Sequence, residues 1–198
     1  LMQVIYWYDI ECLVNLFVIG VERDTDGARW QFEISDWHHQ GQELYHFLMQ
    51  VANSGGRMGG YNNYGFDYPV IHLIMQQQGI IDAATIKMKS DAVIQALNSG
   101  DVFGHTIWDK HQYVPQLDLM KIHHFDNKAK RTSLKLLEFN MRMPDIIEYE
   151  LDWSKPVNAQ EREILLNYLW NGDIPATKKL GDLTRNAIEF RDELTEKY

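Results

Sequence analysis

The sequence has little cysteine, no long apolar run and no excess of positive charge, and each shortage excludes a class of protein. Cys12 is the single cysteine among 198 residues, so an internal disulfide is excluded and a reducing, cytoplasmic location is expected. No run approaches the roughly 18 apolar residues that a membrane span needs, and no signal-like leader opens the chain, so no membrane association is expected. The net charge of −9 argues against broad nucleic-acid affinity, but not against an enzyme whose metal ions supply local positive charge.

Repeats, low-complexity tracts and phosphate-binding loops are also missing. The glycine-rich segment 55–60 lacks the lysine and the following serine or threonine of a P-loop. With 45% hydrophobic residues, 198 residues suffice for one sizeable core. We therefore expect one monomeric domain, 1–198. Because the chain opens on Leu1 before Met2 and closes inside a charged helical pattern, it is typical of a domain taken from a longer polypeptide.

The segment Val4–Cys12 is rich in aromatic and β-branched residues and is predicted to be a strand. Side chains alternate along a strand, so Asp9 and Glu11 are expected on the same side. Two neighbouring carboxylates repel each other unless a cation lies between them. Two interpretations follow from this pair alone: a solvated polar face on an edge strand, or a site of oxygen ligands suited to Mg²⁺ or Mn²⁺.

The remaining pattern predicts three strands, a helix, a strand, helices, a strand and further helices. The other expected strands are Leu16–Val21, Arg29–Ile34, Arg57–Asn62 and Pro115–Ile122, and the last of these could pass into a short helix. The expected helices are Glu43–Ala52, Tyr68–Gln78, Ile81–Ser99, Ser133–Met141, Gln160–Trp170 and Ile174–Tyr198. A helix between the third and fourth strands predicts that the fourth runs parallel to the first. This order indicates an α/β protein with a mixed sheet covered by helices.

Two further acids occur where a helix is expected to begin. Asp67 follows the fourth strand, at the kind of strand end where ligands bind in open α/β sheets. Asp173 precedes Pro175, which favours the first turn of a helix. The alternative for both is a helix cap, the common role of aspartate at this position. Near Asp67, the amide of Asn62 or Asn63 could either bond a phosphate or base or simply form a turn. Phe66 could either wedge under a base or pack in the core.

Three segments in this order, Asp9-Ile10-Glu11, Asn63-Tyr64-Gly65-Phe66-Asp67 and Tyr168 with Asp173, resemble the DEDD superfamily of 3′→5′ exonucleases. The likeness is to the tyrosine subclass, which includes proofreading domains of DNA polymerases. The opening Tyr8-Asp9-Ile10-Glu11 and the segment Arg131-Thr132-Ser133-Leu134-Lys135 are similar to those of phage-type polymerases. The resemblance covers about residues 4 to 185.

This resemblance implies an RNase H-like fold with a five-stranded mixed sheet. It also implies that Asp9, Glu11, Asp67 and Asp173 bind two divalent metal ions, Mg or Mn, while Tyr168 orients the attacking water. The implied reaction is hydrolysis of single-stranded DNA from its 3′ end to nucleoside monophosphates. A polymerase domain in the same longer chain is the implied partner.

The spacing of the third motif departs from the family pattern. Four residues separate Tyr168 from Asp173, where the tyrosine subclass usually has three. On a regular helix an offset of five turns the two side chains about 140° apart. Either Asn171-Gly172 forms a bulge that brings Tyr168 back, or Tyr168 lies outside the site.

Basic and aromatic residues supply candidates for substrate contacts. Lys121, Lys128, Lys130, Arg131 and Lys135 are close in sequence, and either Arg131 or Lys135 is expected to touch the strand, although such runs are usually solvated. Tyr64 could stack an unpaired terminal base. Asp118 is a spare carboxylate expected near enough to the other acids to matter, although contact with solvent or an internal hydrogen bond is its ordinary role.

The leading expectation is therefore a proofreading-type exonuclease that acts on single-stranded DNA. The irregular tyrosine spacing keeps open a second class, a catalytically weakened module with the same fold that binds nucleic acid or a replication partner. A third possibility stays within enzymes and changes the substrate to RNA or the cleavage to internal positions.

Overall fold

A computed structural model describes residues 3–123, 133–135, 141, 143 and 151–197. Within them, five strands form one mixed sheet: Ile5–Leu13 (β1), Leu16–Arg23 (β2), Arg29–Ser35 (β3), Arg57–Gly60 (β4) and Gln116–Asp118 (β5). The α-helices of the described ranges include Gly41–Asn53 (α1), Asp67–Gln76 (α2), Ala83–Asn98 (α3), Leu119–His123 (α4), Ala159–Tyr168 (α5), Ile174–Leu183 (α6) and Arg185–Lys197 (α7). A π-helix, Leu169–Asp173, joins α5 to α6.

The sheet has the strand order β3-β2-β1-β4-β5. The first three strands form the antiparallel meander that the sequence predicts, with Gly27 in the left-handed region at the β2–β3 turn. β4 pairs in parallel with β1 after the α1 crossover, and β5 pairs in parallel with β4. The predicted α/β class and mixed sheet are confirmed, and this topology is compatible with an RNase H-like fold.

β1 separates two hydrophobic layers. Its even-numbered side chains from Tyr6 to Cys12 join the core beneath α1, α2 and α3. On the other face, Ile5 and Trp7 pack against α6 and α7, while Leu13 packs against α5 and the π-helix. The acids Asp9 and Glu11 lie between these two apolar groups, because side chains alternate along the strand. This face of β1 is therefore apolar at both ends and carries two carboxylates in its middle.

Some predicted boundaries differ from the structure. β4 ends at Gly60 rather than Asn62, because the chain turns there and the backbone N–H of Asn62 donates to the Asp118 carboxylate at 2.8 Å. The single helix expected over Ile174–Tyr198 is divided at Thr184, whose hydroxyl donates back to the Leu180 carbonyl oxygen. The helix expected over Ser133–Met141 lies mostly outside the described residues. Across the described ranges, no helix has the length and apolar character required to cross a membrane.

Candidate metal centre

The first two acids of the site come from β1. Asp9 is partly exposed, and Glu11 keeps only 7% of its surface accessible. One carboxylate oxygen from each of Asp9, Glu11 and Asp173 lies within 4.8 Å of the other two. The predicted same-face placement of Asp9 and Glu11 is therefore confirmed, and a third carboxylate from a distant segment joins them.

The π-helix explains how Asp173 and Tyr168 both reach this point. In a π-helix the hydrogen bonds run between residues five apart, so an offset of five completes about one turn. The Tyr168 hydroxyl accordingly donates a hydrogen bond to Asp173 Oδ1 at 3.1 Å. Of the two predicted alternatives, the bulge at Asn171-Gly172 is the one that occurs. Tyr168 lines the same cleft as the acids.

Gly20 makes room for the π-helix above the sheet. It pairs with Asp9 across β1 and β2. A Cβ built on Gly20 would overlap Ile174 Cδ1 and would stand 3.2 Å from side-chain atoms of Leu169 and Trp170. A larger residue there would therefore hold Asp173 away from β1.

Asp67 enters the cleft from the first turn of α2. Its carboxylate does not cap the helix, since Phe66 occupies the N-cap position and no side-chain cap bond is formed. Asp173 does occupy the N-cap position of α6, but its carboxylate forms no side-chain cap bond, so neither acid has the structural role that the capping alternative assigned to it. Asp67 is buried to 7% exposure and lines, with Asp9, Glu11 and Asp173, a cleft of about 330 Å³.

The four acids form one electrostatic unit. Burial, followed by the charges of Asp173 and Asp67, raises the pKa of both Asp9 and Glu11 well above the ordinary range. Burial raises the pKa of Asp67 to about 7, against hydrogen bonds from backbone N–H groups and with help from the charges of Asp118 and Asp173. Burial also raises the pKa of Asp173 to about 6, although the Tyr168 hydroxyl and the charge of Lys135 oppose that rise.

Such a set of carboxylates fits a cation. Each ligand is a hard oxygen, the type that Mg²⁺, Mn²⁺ and Ca²⁺ prefer, and a bound cation would offset the mutual repulsion of the acids. Asp9, Glu11 and Asp173 thus form a cluster that could hold a metal ion. Asp67 lies outside this closest trio and faces the same cleft.

Asp118, the spare carboxylate, forms internal hydrogen bonds, which is one of the ordinary roles expected for it. It accepts hydrogen bonds from the backbone N–H groups of Asn62 at 2.8 Å, Tyr64 at 3.2 Å and Met120 at 2.9 Å. These bonds hold the turn between β4 and α2 in which Asn62 adopts a positive φ of 60°. Asp118 therefore fixes the loop that delivers Asp67.

The predicted substrate contacts near Asp67 have different environments. Asn63 is fully buried, and its amide donates to Gln116 Oε1 at 2.8 Å, which also accepts from the Tyr8 hydroxyl. This burial corrects the expectation that Asn63 touches substrate directly, because its side chain supports the turn from inside. Phe66 packs partly on the core and also lines the cleft. Tyr64 is partly exposed and donates to Asp109 Oδ1 at 2.5 Å.

Of the two basic candidates, Lys135 is described and Arg131 lies outside the described residues. Lys135 Nζ lies 5.9 Å from the centroid of the Tyr168 ring. Its charge is close enough to affect the pKa of Asp173. Lys135 therefore lies beside the acid cluster.

Two residues of the site were missed from the sequence. Trp153 is 42% exposed and lines the cleft, but its segment carries no periodic pattern that could have indicated this. Gly20 did carry a signal, because a glycine inside a strand often marks a close approach of another element.

Comparison with known proteins adds no assignment. No family model matches the chain, and the curated proteins compared with it include none that matches.

Proposed function

We propose that this protein is a metal-dependent 3′→5′ exonuclease that hydrolyses single-stranded DNA ends to nucleoside monophosphates. The observation that supports this function is the convergence of Asp9, Glu11, Asp67 and Asp173 on one cleft, with the Tyr168 hydroxyl at its edge. The four acids would hold two divalent ions, Mg²⁺ or Mn²⁺. When bound, such ions supply an activated water and stabilise charge on the phosphate and on the leaving oxygen.

Tyr168 is suited to orienting water. Burial, followed by the charge of Asp173 and the hydrogen bond to it, raises the pKa of Tyr168 far above that of an ordinary tyrosine. The phenol is therefore protonated at neutral pH and cannot act as a general base. With Asp173 as its acceptor, the hydroxyl oxygen is left to accept a hydrogen bond from a water in the cleft.

The remaining groups would position the strand. Phe66 and Trp153 present aromatic surface along the cleft walls, and Lys135 offers a cation beside Tyr168 for the backbone phosphate. In the reaction, a water oxygen bonds to the terminal phosphorus and the bond from phosphorus to the 3′ oxygen breaks. The shortened strand takes up a proton as its new 3′ hydroxyl, and a nucleoside 5′-monophosphate leaves.

The test is cleavage of a 5′-labelled single-stranded oligonucleotide in Mg²⁺ or Mn²⁺. The expected products are a ladder of shortened strands and free mononucleotides. Cleavage should stop when EDTA is added, and it should be absent in the Asp9→Asn variant. Asp26→Asn is the matched control, because Asp26 is an exposed acid of the β2–β3 turn paired with Arg23. Full activity in Asp9→Asn would defeat the proposal. A matched RNA strand distinguishes an RNA-directed enzyme, and products from internal positions identify an endonuclease.

A further inference from the structure

A second concave surface adjoins the candidate metal centre. This side groove has a volume of about 510 Å³, and Tyr61, Asn62, Tyr64, Phe103 and Lys121 are among the residues that line it. Tyr61 and Asn62 also line the cleft of the four acids. The side groove and the acid cleft therefore share a wall, and one extended ligand could occupy both.

Phe103 lines this groove, and its neighbour Trp108 stacks against it, so two large aromatic rings lie exposed beside the groove. Phe103 is 66% exposed and Trp108 is 51% exposed, and the two rings stack with centroids 6.0 Å apart and planes inclined by 28°. We call this pair the aromatic platform. Isolated exposed apolar residues are ordinary, but adjacent rings at the rim of a groove are typical of a binding surface.

A cation lies beside the aromatic platform. Lys121 Nζ is 3.5 Å from the centroid of the Tyr64 ring and 6.0 Å from that of Trp108. Lys121 is exposed, so its ammonium group can also meet a ligand. The nearby Asp109 accepts the Tyr64 hydroxyl bond, and the Asp118 carboxylate accepts three backbone N–H bonds. Stacked rings with an adjacent cation match the bases and phosphates of an unpaired strand.

We propose that the aromatic platform of Phe103 and Trp108 stacks unpaired bases upstream of the 3′-terminal nucleotide, with Lys121 contacting the strand's phosphates. The occupant is single-stranded DNA that continues from the acid cleft into the side groove. This inference rests on the proposed function for the identity of the strand. Its test, however, measures binding and needs no catalysis. Double-stranded DNA would not suit the platform, because its bases are already stacked on one another.

The test uses the whole protein carrying Asp9→Asn, with EDTA present, and labelled oligonucleotides of about 12 nucleotides, a length within the range that single-strand binding sites cover. Fluorescence anisotropy gives the dissociation constant. Phe103→Ala and Trp108→Ala should each weaken binding of the longer strand by roughly 5- to 150-fold, the range for loss of one stacked base. Both variants should bind a trinucleotide that fills only the acid cleft as the parent protein does.

Matched variants separate stacking from general disturbance. Trp108→Phe keeps an aromatic face and should retain most of the affinity. Phe190→Ala on α7 and Trp37→Ala after β3 remove rings that are 62% and 39% exposed away from the groove, and they should bind as the parent does. Circular dichroism checks that each variant is folded.

Several results would overturn the platform. One is that both alanine variants bind the long strand as tightly as the parent does, and another is that they bind the long strand and the trinucleotide with the same loss of affinity. The proposal also fails if the parent protein binds a duplex as tightly as the single strand, or if it binds no strand at all. Cleavage by the otherwise native chain is assayed separately. If the alanine variants lose strand binding while the native chain does not cleave in Mg²⁺ or Mn²⁺, the proposed function fails and the platform stands. If cleavage occurs and the variants bind normally, the platform alone fails.

Discussion

Gly20 pairs directly with Asp9 in the β1–β2 ladder, and the side chain of Ile174 fills the space where a Cβ on Gly20 would stand. The geometry of the candidate metal centre therefore depends on the absence of a side chain at position 20. This relationship connects the strand that carries two acids with the helix start that carries another, since Ile174 directly follows Asp173.

Gly20→Ala should weaken metal binding by pushing the π-helix away from β1. We expect a loss of about 1–3 kcal/mol in the free energy of unfolding, as for other overpacked sites, and a clear rise in the Mn²⁺ dissociation constant measured by calorimetry. Ile174→Val removes the overlapping Cδ1 atom and should by itself cost about 0.5–1.5 kcal/mol.

The informative control is the double variant Gly20→Ala with Ile174→Val. It should bind Mn²⁺ more tightly than Gly20→Ala alone, because the overlapping methyl group is gone. Additive losses in the double variant would show that Gly20 and Ile174 do not compete for the same space.

The acid cluster predicts opposite pH dependences with and without metal. Asp67 and Asp173 have folded-state pKa values raised to about 7 and about 6, so their contribution to stability is complete below about pH 4 and is lost as the pH rises through those values. For Asp67 this loss amounts to at most about 4 kcal/mol at alkaline pH. In EDTA, the melting temperature should therefore rise when the pH is lowered from about 8 to about 5.5.

A bound cation reverses this trend, because it binds the ionised carboxylates. The increase in melting temperature caused by Mn²⁺ should be largest above about pH 7 and small near about pH 5.5. Asp173→Asn is the control: it should raise the melting temperature in EDTA at alkaline pH and abolish most of the Mn²⁺ effect. An Mn²⁺ effect that is independent of pH would contradict the assignment.

The position of α5 depends on a buried ion pair at the β3 edge. Arg162 Nη2 lies 2.6 Å from Glu33 Oε2, and Glu33 has no exposed surface. Arg162→Ala leaves this carboxylate buried without its cation and should cost about 3–5 kcal/mol in urea denaturation. Lys155→Ala, which removes an exposed ion pair to Asp152, should leave the urea midpoint nearly unchanged.

Replacing both partners tests the reason for that loss. Glu33→Gln combined with Arg162→Met removes the buried charge together with its partner, and it should recover most of the stability lost in Arg162→Ala. If the double variant is as unstable as Arg162→Ala, the unpaired charge of Glu33 is not the cause of the loss.

Features of this site that depend on neighbouring residues could be predicted from the sequence, and features that depend on residues far along the chain could not. The common face of Asp9 and Glu11 follows from strand alternation within three residues, so the sequence predicted it correctly. The burial of Asn63 depends on Gln116, which is 53 residues away and carries no pattern that would indicate the contact. An asparagine in a turn looks the same in sequence whether its amide faces solvent or the interior.

The π-helix shows the same limit. The offset between Tyr168 and Asp173 allowed two arrangements, and the choice between them involves packing of Leu169 and Ile174 against β2 at Gly20. No periodicity inside the helix contains that information. The sequence therefore identified the segment in which the irregularity occurs, and the tertiary contacts determined its geometry.

Tyr168→Phe should separate orientation of water from metal binding. Removing the hydroxyl deletes its hydrogen bond to Asp173 Oδ1, so the pKa of Asp173 should rise and the acid limb of the pH–rate profile should move to higher pH. We expect the rate of strand cleavage in single-turnover assays to fall on the order of 100-fold, the scale of a positioned acid–base or water-orienting group. Binding of Mn²⁺ above about pH 7 should persist, because the carboxylates remain.

Tyr45→Phe on α1, away from the cleft, is the matched control. A normal rate in Tyr168→Phe would remove Tyr168 from the mechanism, whereas loss of Mn²⁺ binding at that pH would show that the hydroxyl acts by holding Asp173 in place.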